Sequence, residues 1–268
     1  MAPDHALDAR FAAAQALALE AGALALRLRG GGEAALGITS KGALDFSTEA
    51  DRAVERLVGE RLAKRFGDSL LGEEYGVLPP EPGGDGAERL WVVDPIDGTF
   101  NFARGLPNWC ISIALLDRGE IALGIIHNPA TGELFTARRG GGAWRNGEAL
   151  HLASERPAMP LIEIGYSNRR PTDSYLTLIR RTVAAGCEFR RFGSGALGLA
   201  AVACGLTDGY IELHINAWDV LAGIVLVREA GGWASDFLSD DGLHRGNPII
   251  ACKPALRETL EAVMAGQG

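Results

Sequence analysis

Only four cysteines occur in the 268 residues, at Cys110, Cys187, Cys204 and Cys252, and no two form a C-x-x-C pair. Their apolar surroundings point to buried free thiols in a reducing cytoplasm, not to a disulfide framework or a cysteine metal site. Basic residues are also short: 26 Lys and Arg against 34 Asp and Glu leave a formal net charge of -8. A dedicated nucleic-acid binder normally carries a basic face, so nucleic acid is not expected as the main ligand. No long uncharged apolar run is present. The N-terminal stretch ALDARFAAAQALALEAGALALRLR is broken by Asp8, Arg10, Glu20 and Arg27, which reads as an alanine-rich amphipathic helix and neither a signal peptide nor a membrane span. Repeats and low-complexity tails are missing too. What is there, 47% hydrophobic and 22% charged residues, predicts a globular cytoplasmic protein, long enough for a sizeable core.

After a glycine-rich connector, GGGEAALG, the segment from Thr48 to Phe66 spaces Val54, Leu57, Val58 and Leu62 as a helix does, behind a capping-box-like start of Thr48 and Asp51. DSLLGEEYG reads as a short strand running into a turn, and PPEPGGDG as a surface loop. RLWVVD reads as a strand that ends at Asp94, with a turn at Pro95. WCISIALLDRGEIALGIIHNP predicts a hairpin turning at Asp117-Arg118-Gly119, and ELFTARRGGGAWRNGEAL more short strands. In the second half, LIEIGYS, CEFRRFGSG, DGYIELHI and PIIAC read as strands alternating with helices. In GYIELHI the period of two puts Tyr210, Glu212 and His214 on one face, and Ile211, Leu213 and Ile215 on the other. A soft boundary near residue 155 divides an N-terminal α+β part, 1–154, from a C-terminal α/β part, 155–268.

Two fingerprints fit imperfectly. Gly193-Ser194-Gly195-Ala196-Leu197-Gly198 matches G-x-G-x-x-G, yet it lies far from the N-terminus and no acidic strand end follows about 20 residues on. A glycine-rich helix start lining another substrate, or plain tight packing, remain as its readings. Asp94-Pro95-Ile96-Asp97-Gly98-Thr99 is one residue longer than the D-x-D-G-T of haloacid-dehalogenase-type phosphatases. A spacing of three cannot keep two carboxylates on one face of a straight strand, so the proline has to redirect the chain. Taken literally, the stretch offers two carboxylates and the Ile96 carbonyl to a hard cation such as Mg²⁺. Gly98 and Thr99 then offer backbone N–H groups at a helix start, where an anion is favoured. Alone, the stretch reads equally as a capped turn with solvated aspartates. It has company, however: Glu73-Glu74 follow a strand, and Asp219 heads a nearly all-apolar helix. Each of these also has a plain reading, as a solvated turn and as an N-cap.

These residues together resemble the inositol monophosphatase family of Mg²⁺-dependent, lithium-sensitive phosphatases. Its three blocks occur in order: Gly72-Glu73-Glu74, then Asp94-Pro95-Ile96-Asp97-Gly98-Thr99-x-Asn101-Phe102, then Trp218-Asp219 leading into Ala230-Gly231-Gly232. The resemblance implies a mixed α+β or α/β fold, the layered αβαβα sandwich shared with fructose bisphosphatase, and a homodimer. It implies two to three Mg²⁺ ions per site, with Glu73, Asp94 and the Ile96 carbonyl as ligands of the first and Asp94, Asp97 and Asp219 as ligands of the second. Thr99 and Asp51 are then the pair that positions and deprotonates an attacking water, assisted by Glu73. The substrate contacts implied are Asp97, Gly98, Thr99, Gly193, Ser194, Gly195, Glu212 and Asp219. Lys41 falls on a flap position, and His214 and Asn216 depart from the usual residues of the ring pocket. The expected substrate is a small polyol or sugar phosphate, inositol monophosphate first. Histidinol phosphate, fructose 1,6-bisphosphate and 3′-phosphoadenosine 5′-phosphate are alternatives on the same scaffold. A non-catalytic regulatory protein is the competing expectation from another class.

Overall fold

The computed structural model describes residues 5–32, 36–42, 45–80 and 88–265. In chain order the elements are α1 (His5–Arg29), β1 (Thr39–Gly42), β2 (Asp45–Ser47), α2 (Glu49–Phe66), β3 (Ser69–Gly72), β4 (Gly76–Leu78), β5 (Arg89–Asp97), α3 (Thr99–Ala103), β6 (Cys110–Asp117), β7 (Glu120–Asn128), β8 (Glu133–Arg138), β9 (Gly142–Arg145) and β10 (Glu148–Ala149). There follow β11 (Leu161–Ile164), α4 (Thr172–Ala184), β12 (Glu188–Arg190), α5 (Gly195–Ala203), β13 (Gly209–Ile215), α6 (Ala217–Glu229), β14 (Trp233–Ala234), α7 (Gly242–Arg245), β15 (Asn247–Cys252) and α8 (Arg257–Met264). The expected loop PPEPGGDG and connector GGGEAALG lie partly outside the described residues.

Eight strands form one sheet in the order β10-β9-β8-β7-β6-β5-β3-β4, and five form another in the order β12-β11-β13-β15-β14. Pairing in the larger sheet is antiparallel except between β3 and β5. The hairpin of β6 and β7 turns at Arg118 and Gly119, both at positive φ, the geometry that matches the twist of the flanking strands. The alternating side chains of these strands feed three separate apolar layers. On one side of the larger sheet, Ile111, Ile113, Leu115 and Leu123 pack with Ala14, Ala18 and Ala21 of α1 and Val54 and Val58 of α2. Between the sheets, α5 and α6 bury Leu199, Val202, Leu221, Ile224 and Val225 with Ala114, Ile126 and Ala251. Beyond the smaller sheet, Ile162, Ile164 and Ile211 meet Leu178 of α4 and Leu260 of α8. The result is the expected αβαβα order.

By length and apolarity alone α1 is the one helix among the described residues able to cross a membrane. Its alanine face is buried against α2, β6 and β7. The join is specific as well as apolar: Arg10, 5% exposed, donates through Nε and Nη2 to both oxygens of Asp68, which also accepts from Trp91 Nε1 at 2.9 Å.

The smaller sheet departs from strict alternation. Ile211 and Leu213 face α4 and α8 as expected, but Ile215 joins Tyr210 in the layer of α5 and α6. The register between β13 and β15 slips between Glu212 and Ile215, and a slip of this kind exchanges the two faces of a strand.

Candidate active site

Asp94 and Asp97 both belong to β5, which does not end at Asp94 as RLWVVD implies but runs on to Asp97. Pairing with β6 is regular down to Asp94 opposite Ser112 and resumes at Asp97 opposite Cys110. Three steps along β5 thus match two along β6, so the expected turn at Pro95 is a β-bulge inside a continuing strand. Proline has no N–H to give the ladder and is placed where pairing is interrupted. The extra residue shifts the alternation by one, which brings two carboxylates spaced by three to the same side. Asp94 Oδ1 secures the bulge by accepting from Ile96 N at 2.9 Å.

The third carboxylate arrives from the other half of the chain. Asp219 is the third residue of α6 and accepts from the Asn216 backbone N–H at 3.0 Å, closing a capping box. Ser112 Oγ donates to the Trp218 carbonyl at 3.0 Å, tying the head of α6 to β6 beside Asp94. One oxygen each of Asp94, Asp97 and Asp219 lies within 4.8 Å of the others. Burial raises all three carboxyls above the ordinary range, Asp97 to about 7; neighbouring carboxylates add to the rise at Asp94 and Asp97, whereas hydrogen bonds with Asp94 and Asn216 oppose it at Asp219. Two buried carboxylates and a half-buried third so close repel one another unless protons or cations occupy the space between them. Their donor set is hard oxygen only, which suits Mg²⁺.

Asp97 is also braced by the segment that imitates a dinucleotide fingerprint. Ser194 Oγ donates to its Oδ2 at 2.6 Å, Ala196 N at 2.7 Å, and Gly195 N reaches Oδ1 at 3.3 Å. The N-terminus of α5, the positive end of its dipole, therefore points at a carboxylate. Asn101 locks the two glycine segments together, its amide group donating to the carbonyls of Asn108 and Phe192 at 2.7 and 2.8 Å. Gly98 has no room for more: at φ 90° a Cβ there would lie 2.8 Å from the Asn108 carbonyl and 3.2 Å from that of Gly193.

On the opposite side stands α2. Its capping box is formed as expected, with Asp51 accepting from Thr48 N at 2.8 Å. The other oxygen of Asp51 accepts from Thr99 Oγ1 at 3.2 Å, and the same hydroxyl reaches the Ile96 carbonyl at 3.0 Å. Burial lifts the Asp51 carboxyl to about 6, against the lowering effect of its bonds from Thr48. Glu73 follows β3, whose parallel register with β5 pairs Gly72 with Val93, so Glu73 emerges beside Asp94. Its charge is the second cause, after burial, of the rise at Asp94. One turn along α2 from Asp51, the buried Glu55 holds this corner by accepting from Glu74 N at 2.8 Å and Tyr75 N at 2.9 Å.

The family model described as the inositol monophosphatase family matches residues 6–265. This chain belongs to the inositol monophosphatase family. An inositol-1-monophosphatase of Rhizobium meliloti is 41% identical over 237 residues, covering 84% of this chain and 86% of the relative. A protein of Xylella fastidiosa named Nus factor SuhB is 38% identical over 243 residues, covering 87% and 86%. Among solved structures, the extragenic suppressor protein suhB of Bartonella henselae superposes with a TM-score of 0.87 at 35% identity, over 96% of this chain and 99% of that one. The enzyme class expected from the sequence, a phosphatase, agrees with the family and with the first of these relatives. The family is metal-dependent, and the acidic group of Asp94, Asp97 and Asp219 is where this member can hold cations.

The other positions named from the resemblance are placed as follows. Glu212, on β13, is 5% exposed and accepts from the Tyr210 hydroxyl at 2.6 Å. Burial raises its carboxyl to about 8, against the lowering effect of that bond. Asn216 is the N-cap of α6, and His214 Nε2 lies 2.9 Å from the Arg245 carbonyl. Lys41 belongs to β1, but its side chain lies outside the described residues. Glu55, Ser112 and Tyr210 were not foreseen as parts of the site. For Glu55 a signal existed: it sits in the apolar stripe Val54, Val58, Leu62, where an unpartnered acid would be costly. For Tyr210 the period of two that sets it on one face with Glu212 was the signal; Ser112, which reaches Trp218 across 106 positions, left none.

Proposed function

We propose that the chain is a Mg²⁺-dependent phosphomonoesterase acting on a small polyol or sugar phosphate, inositol monophosphate first. The observation that carries this reading is the convergence of Asp94, Asp97 and Asp219 on one point, with Glu73, Thr99 and Asp51 around it. Asp94, Asp97 and Asp219 would hold the cations, with Glu73 and the Ile96 carbonyl beside them. Mg²⁺ bound there supplies charge to neutralise the phosphate, a water of lowered pKa and stabilisation of the leaving oxygen. Gly98 and Thr99 turn their backbone N–H groups to the phosphate, and the segment from Gly193 to Gly195 closes over the substrate. Thr99 Oγ1, in reach of Asp51 Oδ1, aligns the attacking water and passes its proton on. Asp51, buried and lifted to about 6, is a matched acceptor near neutral pH. Glu212 spends Oε2 on Tyr210 and keeps Oε1 for a substrate hydroxyl, which favours a polyol over a bare phosphate ester.

Phosphate release from inositol 1-phosphate, histidinol phosphate, fructose 1,6-bisphosphate and 3′-phosphoadenosine 5′-phosphate, with and without Mg²⁺, tests the reading. Mg²⁺-dependent release, greatest from inositol 1-phosphate, is expected. Release from none of the four overturns the enzyme and favours the regulatory reading, to which the relative named Nus factor SuhB lends support. A different winner keeps the chemistry and replaces the substrate. Inhibition by millimolar lithium and a homodimer in sedimentation belong to the same proposal.

A further inference from the structure

Tyr210 and Glu212 leave β13 on the same side, and Tyr210 packs into the layer of α5 and α6. Tyr210 is 2% exposed and Glu212 5%, so each needs a partner for its polar atoms. The 2.6 Å bond from the phenol to Glu212 Oε2 supplies one to both. No donor among the described residues is bonded to Oε1, which is left for a ligand.

Two glycines, Gly165 and Gly198, clear the slot in which this pair sits, and a third, Gly195, borders it. A Cβ on Gly165, the residue after β11, would lie 2.1 Å from Glu212 Oε2 and 2.4 Å from the Tyr210 hydroxyl. A Cβ on Gly198 would lie 2.5 Å from the Tyr210 ring; one on Gly195 would crowd Ile215 Cδ1 at 2.6 Å and would touch the Tyr210 hydroxyl at 3.4 Å and Asp219 Cβ at 3.6 Å. None of the three has a positive φ, so it is space and not backbone conformation that calls for glycine there. The phenol therefore stands at the junction between Asp219 and Glu212.

We propose that Tyr210 is the positioning residue for polyol recognition: its hydroxyl fixes Glu212 in the rotamer that presents Oε1 to a substrate hydroxyl. It thereby sets the preference of the site for hydroxyl-rich phosphate esters over plain ones. The inference rests on the reading of Glu212 as the hydroxyl acceptor. The surroundings explain why a restraint is needed. Asp97 and Asp219 on one hand and Arg191 on the other act on Glu212 in opposite senses, so without the bond from Tyr210 no single orientation of the carboxyl group is held. The Tyr210 hydroxyl is bonded to Glu212 and not to Asp94, Asp97 or Asp219, so it acts through Glu212.

The test is phosphate release from inositol 1-phosphate and from phenyl phosphate, which has no hydroxyl to recognise, by the full-length protein with Mg²⁺. Tyr210→Phe keeps the ring and removes the donor. It is expected to raise KM for inositol 1-phosphate about tenfold, the size of one hydrogen bond to a charged group, while kcat and the turnover of phenyl phosphate stay within about twofold. Gly165→Ala displaces the same pair from the other side and reproduces the loss of preference, which keeps the test open should Tyr210→Phe fold poorly. Equal losses on both substrates, or no change on either, overturn the inference. Glu212→Gln separates it from the reading beneath it. If Glu212→Gln leaves KM for inositol 1-phosphate unchanged, Glu212 is not the hydroxyl acceptor and both fall. If Glu212→Gln raises KM and Tyr210→Phe does not, Glu212 stands and the role of Tyr210 is refuted.

Discussion

Replacing Ser194 by alanine removes one hydroxyl that acts in two places, on the fold and on the site. Ser194 is the N-cap of α5, where Oγ accepts from Leu197 N at 3.3 Å, and the same oxygen donates to Asp97 Oδ2 at 2.6 Å. The cap bond is long, so its share is at the low end of the usual range, about 0.5–1 kcal/mol. The bond to the buried carboxylate is short and contributes about 1.5–3 kcal/mol. Ser194→Ala is therefore expected to destabilise the fold by about 2–4 kcal/mol, or to lower Tm by about 5–12 °C for a chain of this size. A second effect separates this from a plain packing loss. The Ser194 bond is the largest of the influences holding the Asp97 carboxyl down against burial and Asp219. Without it the proton binds more tightly, cations compete less well, and the acid limb of the Mg²⁺-dependent pH profile moves to higher pH. Calorimetric melting together with phosphate release between pH 5 and 9 measures both. A Tm lowered by less than 1 °C (about 0.3 kcal/mol), or a lowered Tm with an unmoved acid limb, refutes the reasoning.

Arg10→Ala should cost about 3–5 kcal/mol by leaving Asp68 buried without its guanidinium, a loss softened by the bond from Trp91 Nε1. Turnover per folded molecule should not change, because Arg10 joins α1 to the far face of the larger sheet, and melting with activity measured well below Tm checks both. In EDTA, stability should fall as pH rises from about 5 to 8. Burial raises Glu163 to about 7, Asp97 to about 7 and Glu212 to about 8, so in this window the folded chain holds protons the unfolded chain has lost, and stability declines with pH. Mg²⁺ should restore Tm, and more at pH 8 than at pH 6. A Tm that climbs with pH in EDTA contradicts the assignment.

Local pattern carried most of the elements, and the resemblance pointed to the meeting of Asp94, Asp97 and Asp219. The capping box at Thr48 and Asp51, the hairpin turn at Arg118-Gly119 and the helix headed by Asp219 are all set by residues within a few positions of one another, so they are legible in sequence. The path of β5 past Pro95 was not, because whether a proline ends a strand or bulges it depends on β6, which is placed by the hairpin with β7. The side taken by Ile215 was hidden for the same reason, as it depends on the register of β15. The braces of the site, Ser194 to Asp97, Asn101 to Phe192, Ser112 to Trp218 and Thr99 to Asp51, join residues 48 to 106 positions apart. Residue type announces that such groups need partners, but only the fold says which partners they find.

The central claim is that the clustered carboxylates of Asp94, Asp97 and Asp219 hold the cations on which hydrolysis depends, and Asp94→Asn tests it most directly. The substitution keeps shape and volume and removes a charge repelled by Glu73, Asp97 and Asp219, so the variant should fold and in EDTA should melt no lower than the parent. The measurement is Mg²⁺ binding by titration calorimetry, paired with phosphate release on the same preparation. The account predicts that a folded Asp94→Asn protein loses most of both. A folded variant that binds Mg²⁺ and releases phosphate as the parent does would contradict it.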